Sequence, residues 1–168
     1  MKGAKRALII RSASFQQLDQ NLPGIQQQMP GYIFDLLTHE HGVKLAEKYE
    51  GINKIIPYPY KQSFNKKLKA IGLPSESYDA VIYVVTNMTG VGFWNVLQFA
   101  FTIPANQYFQ CNMHTELKTI NKAQVYKDAF LRWIQRFISL IATGLCSVII
   151  IPYLIFKFIQ IRTGSSGE

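Results

Sequence analysis

Two short loops hold the residues of this chain whose types and placing could do chemistry. The first, Ser12 to Gln17, offers Ser12, Ser14, Gln16 and Gln17 directly after an apolar run. The second, Thr86 to Gly92, offers Asn87, Thr89 and Gly90 after the most apolar run of the polar part. Both are candidate ligand-binding loops, because open α/β sheets bind ligands beyond the carboxyl ends of their strands. Thr89-Gly90-Val91-Gly92 is neither a full G-x-G-x-x-G nor a P-loop, so a tight strand-to-helix turn competes with a phosphate cradle. His39-Glu40-His41 places two imidazoles at i and i+2, a spacing seen in strand metal sites, but without a third ligand in sight it reads as solvated. His114 is isolated. No Ser-x-x-Lys, Gly-x-Ser-x-Gly or Cys-x-x-Cys occurs, which removes support for nucleophilic and redox enzymes. Phe93, Trp94, Phe99 and Phe101 fall at helical spacing and read as core rather than as a base-stacking platform. No metal and no cofactor is expected.

The elements that would position these loops follow from the pattern of apolar runs. Ala7 to Ile10 lacks alternation, as expected of a parallel strand covered on both faces. Leu18, Leu22, Ile25 and Met29 share a helical face, with Pro23 requiring that the helix start near it or kink there; Pro30-Gly31 closes the segment. Tyr32 to Thr38, Ile52 to Pro57, Tyr78 to Val85 and Pro104 to Cys111 read as further strands. Val43 to Tyr49, the lysine-rich Lys61 to Ile71 and Phe93 to Thr102 read as helices between them. Strands alternating with helical patterns predict βαβ units and an open, parallel, Rossmann-like sheet of about five strands.

Phe137 to Phe156 then runs for 20 residues without a formal charge. A helix rising about 1.5 Å per residue needs roughly 20 residues to span a hydrocarbon core of about 30 Å, so this segment predicts a transmembrane anchor. A buried core helix is the competing reading. Ahead of it Tyr126, Phe130, Trp133 and Phe137 recur at four, three and four, with Arg132 and Arg136 among the charged positions. This predicts either an interfacial amphipathic helix anchored by Trp133 or simply the first turns of the anchor. Pro152 allows a kink or a re-entrant hairpin.

The expected organisation is an α/β domain over 1–118, an amphipathic helix over 119–136, a transmembrane anchor over 137–161 and a flexible tail over 162–168. The net charge of +8 is dispersed, with several basic residues beside the apolar run; this suits anionic headgroups of a lipid bilayer and argues against a nucleic-acid partner. Cys111 and Cys146 do not make a disulfide scaffold, and the apolar run after Arg6 is too short for a signal segment. Lys118, Lys122, Lys127, Arg132 and Arg136 before the anchor outnumber Lys157 and Arg162 after it. The expectation is therefore a single-pass membrane protein with its domain on the cytoplasmic side.

At this point the residues resemble a known family. From Ala7 to about Asn112 the chain is similar to the amino-terminal half of the heptosyltransferase-type glycosyltransferases, which have the GT-B architecture. Ile9-Ile10-Arg11-Ser12-Ala13-Ser14 matches the family's opening strand and Ser-rich loop, and Leu22-Pro23 its Thr-Pro. Ile55-Ile56-Pro57-Tyr58 matches the ending of the third strand, and Tyr78-Asp79-Ala80-Val81-Ile82 the Tyr-Asp strand. The resemblance implies a Gly-Asp pair whose carboxylate activates the acceptor hydroxyl, but that pair falls on Gln16-Gln17, and an amide cannot accept the proton. Asp19, two residues on, would substitute only with a different loop. The family also binds its nucleotide-sugar mainly through a carboxy-terminal domain, where this chain has its anchor. The expectation is a non-catalytic, membrane-anchored accessory subunit that binds or scaffolds a membrane protein or a further copy of itself. The alternative is the acceptor-binding half of a split glycosyltransferase, reaching a sugar or nucleotide-sugar through a partner chain.

Overall fold

A computed structural model describes residues 4–68, 73 and 77–164, in two units that meet in sequence between Lys122 and Ala123. The first unit contains β1 (Lys5–Ile10), α1 (Phe15–Gln28), β2 (Tyr32–His39), α2 (Val43–Ala46), β3 (Ile52–Tyr58), β4 (Tyr78–Val84), α3 (Trp94–Ala100), β5 (Ala105–Cys111) and β6 (Leu117–Thr119). The sheet order is β3-β2-β1-β4-β5-β6, so strand order reverses between β1 and β4. Strands β1 to β5 pair in parallel, with Ala7, Leu8, Ile9 and Ile10 opposite Ala80, Val81, Ile82 and Tyr83. The sheet is thus the open α/β sheet expected, with one strand more. That strand, β6, pairs antiparallel to β5. Three residues long and without an apolar run, it leaves no local signature.

Both faces of the sheet are covered, which is why β1 reads as continuous apolar sequence: Ala7, Leu8, Ile9 and Ile10 are fully buried. Ala7, Ile9, Phe34, Leu36, Ala80 and Ile82 form one core with Leu18, Leu22 and Ile25 of α1. On the opposite face Phe99 of α3 meets Tyr58 and Phe64, ring centroids 5.4 and 5.2 Å away. Each such side chain taken out of water contributes about 1.5–3 kcal/mol. Asp35 is the buried charge of β2; it accepts from Arg6 Nη2 at 2.7 Å, the Tyr78 hydroxyl at 2.9 Å and Asn53 Nδ2 at 2.9 Å.

Three sequence expectations are corrected. Helix α1 does not start near Pro23; it starts at Phe15, where Ser14 caps it by accepting from the Gln17 amide at 3.2 Å. The lysine-rich segment is not helical over 61–68. Phe64 is drawn into the aromatic core, and Asn65 Oδ1 accepts from the Lys67 amide, a local turn that competes with helix; the remaining 69–71 lie outside the described residues. Helix α2 is shorter than Val43 to Tyr49.

The second unit, from Ala123, contains all of α4 (Lys122–Gly164) but its first residue, and α4 contains Pro152. Its stretch Lys122–Ile159 is long and apolar enough to cross a membrane. Phe130, Trp133 and Phe137 stack along it at 6.3 and 5.8 Å. Thr143 and Ser147 donate to the carbonyls of Ser139 and Thr143, so these hydroxyls are satisfied within the helix, as an apolar surround requires.

Candidate functional site

The carboxyl ends of β1, β2 and β4 open onto a cavity of about 180 Å³ lined by Arg11, Ser12, His39, Ser63, Phe93 and Asn95, among others. It lies at the point where strand order reverses, the place an open α/β sheet offers a ligand. The β1 and β4 ends are joined by the Ser12 hydroxyl, which donates to the Val84 carbonyl.

Arg11 follows the last residue of β1 and is 8 % exposed. Its Nε donates to Thr38 Oγ1 at 2.7 Å and its Nη1 to the Ala13 carbonyl at 2.8 Å, while the guanidinium lies over the Phe15 ring at 4.3 Å. Desolvation lowers its pKa from the ordinary arginine value. His39 ends β2. Its Nδ1 pairs with the Tyr60 carbonyl at 3.2 Å, so that nitrogen carries the proton, and its ring packs against Phe64 at 4.8 Å. Burial, then Arg11 and His41, push its pKa below the usual histidine range. His39 is therefore a neutral imidazole near neutral pH, and it stacks on His41 at 5.6 Å.

The residues singled out in sequence divide between this cavity and other tasks. Ser12 lines the cavity. Ser14 caps α1, and Gln16 is exposed. Gln17 donates to Asn21 Oδ1 at 2.9 Å and to the Met113 carbonyl at 3.3 Å, which ties it to the turn between β5 and β6. That turn docks on α1: Asn21 donates to the Asn112 carbonyl, Gln28 to the Thr115 carbonyl, and a side chain at Gly24 would collide with Thr115.

Asp19 is exposed and accepts from the Tyr49 hydroxyl at 2.6 Å and Lys48 Nζ at 2.9 Å. The hydrogen bond from Tyr49, then that from Lys48, hold its carboxyl below the usual carboxylate range, making it a weaker base. Asn87 is spent on its own loop: Nδ2 donates to the Val91 carbonyl at 2.8 Å and Oδ1 accepts from the Gly90 amide at 2.6 Å. Gly90 adopts φ +75° above Gln110, and Thr89 is exposed. Of the second loop only Gly92 lines the cavity.

Sequence reasoning passed over Arg11, Ser63 and Asn95. Arg11 carried a signal, a cation ending a wholly apolar strand; Ser63 and Asn95 carried none, because the sheet and α3 bring them together across 32 residues of chain, Asn95 Nδ2 donating to Ser63 Oγ at 2.6 Å.

Trp133, Arg132, Arg136, Tyr126 and Phe130 all fall on α4, apart from the cavity in sequence.

No family model matches this sequence, and no curated protein does. Among solved structures the chain is similar to the heptosyltransferase WaaC of E. coli. With ADP-2-deoxy-2-fluoro heptose bound, that enzyme aligns at 23% identity and a TM-score of 0.36, over 46% of this chain and 29% of that one. With ADP it aligns at 26% identity and a TM-score of 0.33, over 46% of this chain and 27% of that one. The chain thus spans under a third of the length of the enzyme it is similar to.

Proposed function

We propose that this chain is a membrane-anchored, non-catalytic, glycosyltransferase-like subunit that binds or scaffolds a membrane protein, with its α/β unit on the cytoplasmic side. One observation carries the reading: the described residues lining the cavity include no carboxylate to take a proton from a sugar hydroxyl. Gln17, at the position the family gives to its carboxylate, is an amide bound to Asn21 and Met113. Asp19 is held by Tyr49 and Lys48. The anchor rests on the length and apolar character of α4, and its sidedness on the excess of Lys and Arg ahead of the apolar run.

A second reading, the acceptor-binding half of a split glycosyltransferase, is favoured by His39. With its Nδ1 proton on Tyr60, its Nε2 is a free base beside the cavity.

Purification of the full chain in mild detergent separates the two. The scaffold reading expects a stoichiometric membrane partner, no sugar transfer, and an unchanged complex in Gln17→Ala and Asp19→Asn. Sugar transfer by the complex, lost in His39→Gln or Asp19→Asn, overturns it.

A further inference from the structure

Arg11 has no carboxylate partner among the described residues. Arg6 pairs with Asp35 and Lys48 with Asp19, and no carboxylate among the described residues lines the cavity that Arg11 faces. Burying an unpaired guanidinium is costly, and the folded chain meets part of that cost through Thr38, the Ala13 carbonyl and the Phe15 ring. Its Nη2 has no partner among the described residues. Every fully buried side-chain nitrogen or oxygen there is partnered, so Nη2 is reached by solvent, and the space Arg11 lines is the cavity. A second donor stands at the rim. The Ser63 hydroxyl accepts from Asn95 Nδ2, and with that lone pair engaged its single proton is free to be given to a ligand. The Ser12 hydroxyl proton is already spent on Val84.

We propose that this cavity binds a phosphate group, with Nη1 and Nη2 of Arg11 and the Ser63 hydroxyl as its donors. A guanidinium fork matches two phosphate oxygens, and the described lining has no carboxylate to repel an anion. The donors are held before the ligand arrives, because Thr38 and Ala13 fix the guanidinium and Asn95 fixes Ser63. The site holds under either reading of the chain's function, since it needs only a bound anion and no reaction.

The test follows thermal unfolding of the full chain in neutral detergent while inorganic phosphate replaces gluconate at constant ionic strength. A ligand that binds only the folded state raises the midpoint in a saturable way. The expected result is such a rise, with affinity about 10- to 100-fold weaker in Arg11→Gln, as for loss of charge-assisted hydrogen bonds. Ser63→Asp keeps the proposal open to refutation if Arg11→Gln does not fold. It places a carboxylate at an exposed rim position, so it should raise the midpoint without phosphate and abolish the response to phosphate. In a parallel arm glycerol 3-phosphate stands for a lipid headgroup; tighter binding of it than of inorganic phosphate identifies a headgroup ligand, and the reverse a free one. A midpoint that does not respond to either, or that responds equally in wild type and Ser63→Asp, overturns the proposal.

Discussion

A neutral histidine beside an arginine that has no carboxylate partner among the described residues makes this fold sensitive to mild acid. His39 has its pKa lowered from 6.5 by burial first, with Arg11 and His41 adding repulsion; the bond to the Tyr60 carbonyl acts the other way. The groups around it are Arg11, His41, Tyr58 and Tyr60, none of them a carboxylate that would welcome a proton. Because the unfolded chain takes up the proton near pH 6.5 and the folded chain resists it, this contribution to stability is full above that pH. It is lost as pH falls through the lower folded value. The window of Asp19, whose carboxyl is depressed below 3.8, lies at more acid pH and does not overlap. Unfolding midpoints of the full chain should therefore fall between pH about 7.5 and about 5.5, and fall less in His39→Gln; parallel curves would refute the assignment. Little of this was legible in the sequence. His39 and His41 stood out as a possible metal pair. What decides their chemistry is that the chain returns Tyr60 and Phe64 to the end of β2, a tertiary fact.

At the level of elements the sequence spoke clearly wherever burial is continuous. Strands β1, β2 and β4 were legible because a strand covered on both faces is apolar at nearly every position, and the loop after β4 because of its glycines. The task of that loop was not. Gly90 permits a left-handed turn in which its amide reaches Asn87, and it lets the loop pass close over Gln110, whose Oε1 accepts from the Tyr83 hydroxyl at 2.8 Å. A Cβ at this position would both strain φ and stand inside van der Waals reach of Gln110 Oε1. Gly90→Ala should cost about 1–3 kcal/mol in urea unfolding of the full chain. A variant as stable as wild type would mean that the loop can move off Gln110. The missed elements have separate causes. Strand β6 is a three-residue partner of β5 without an apolar run, the turn at Asn65 is closed by its own side chain on the Lys67 amide, and Gln17 was aimed in expectation at a ligand although the β5–β6 turn, distant in sequence, claims it.

Across the whole chain, composition separates the two units more sharply than any motif. In the first, apolar side chains lie between sheet and helices; in the second, Leu140, Val148 and Phe158 are 74%, 72% and 68% exposed, a surface that water would not sustain as an isolated helix. On the proposed reading a bilayer would supply the missing apolar contact, and the basic residues from Lys118 to Arg136 sit just ahead of the uncharged run, where anionic headgroups would meet them. The sheet pairings and the α1 core all fall before Lys122. Ending the chain after Val125 should then leave a folded α/β unit that stays in the supernatant when membranes are pelleted, with cooperative unfolding retained. If the truncated chain still sediments with membranes, attachment must come from the surface of the α/β unit itself.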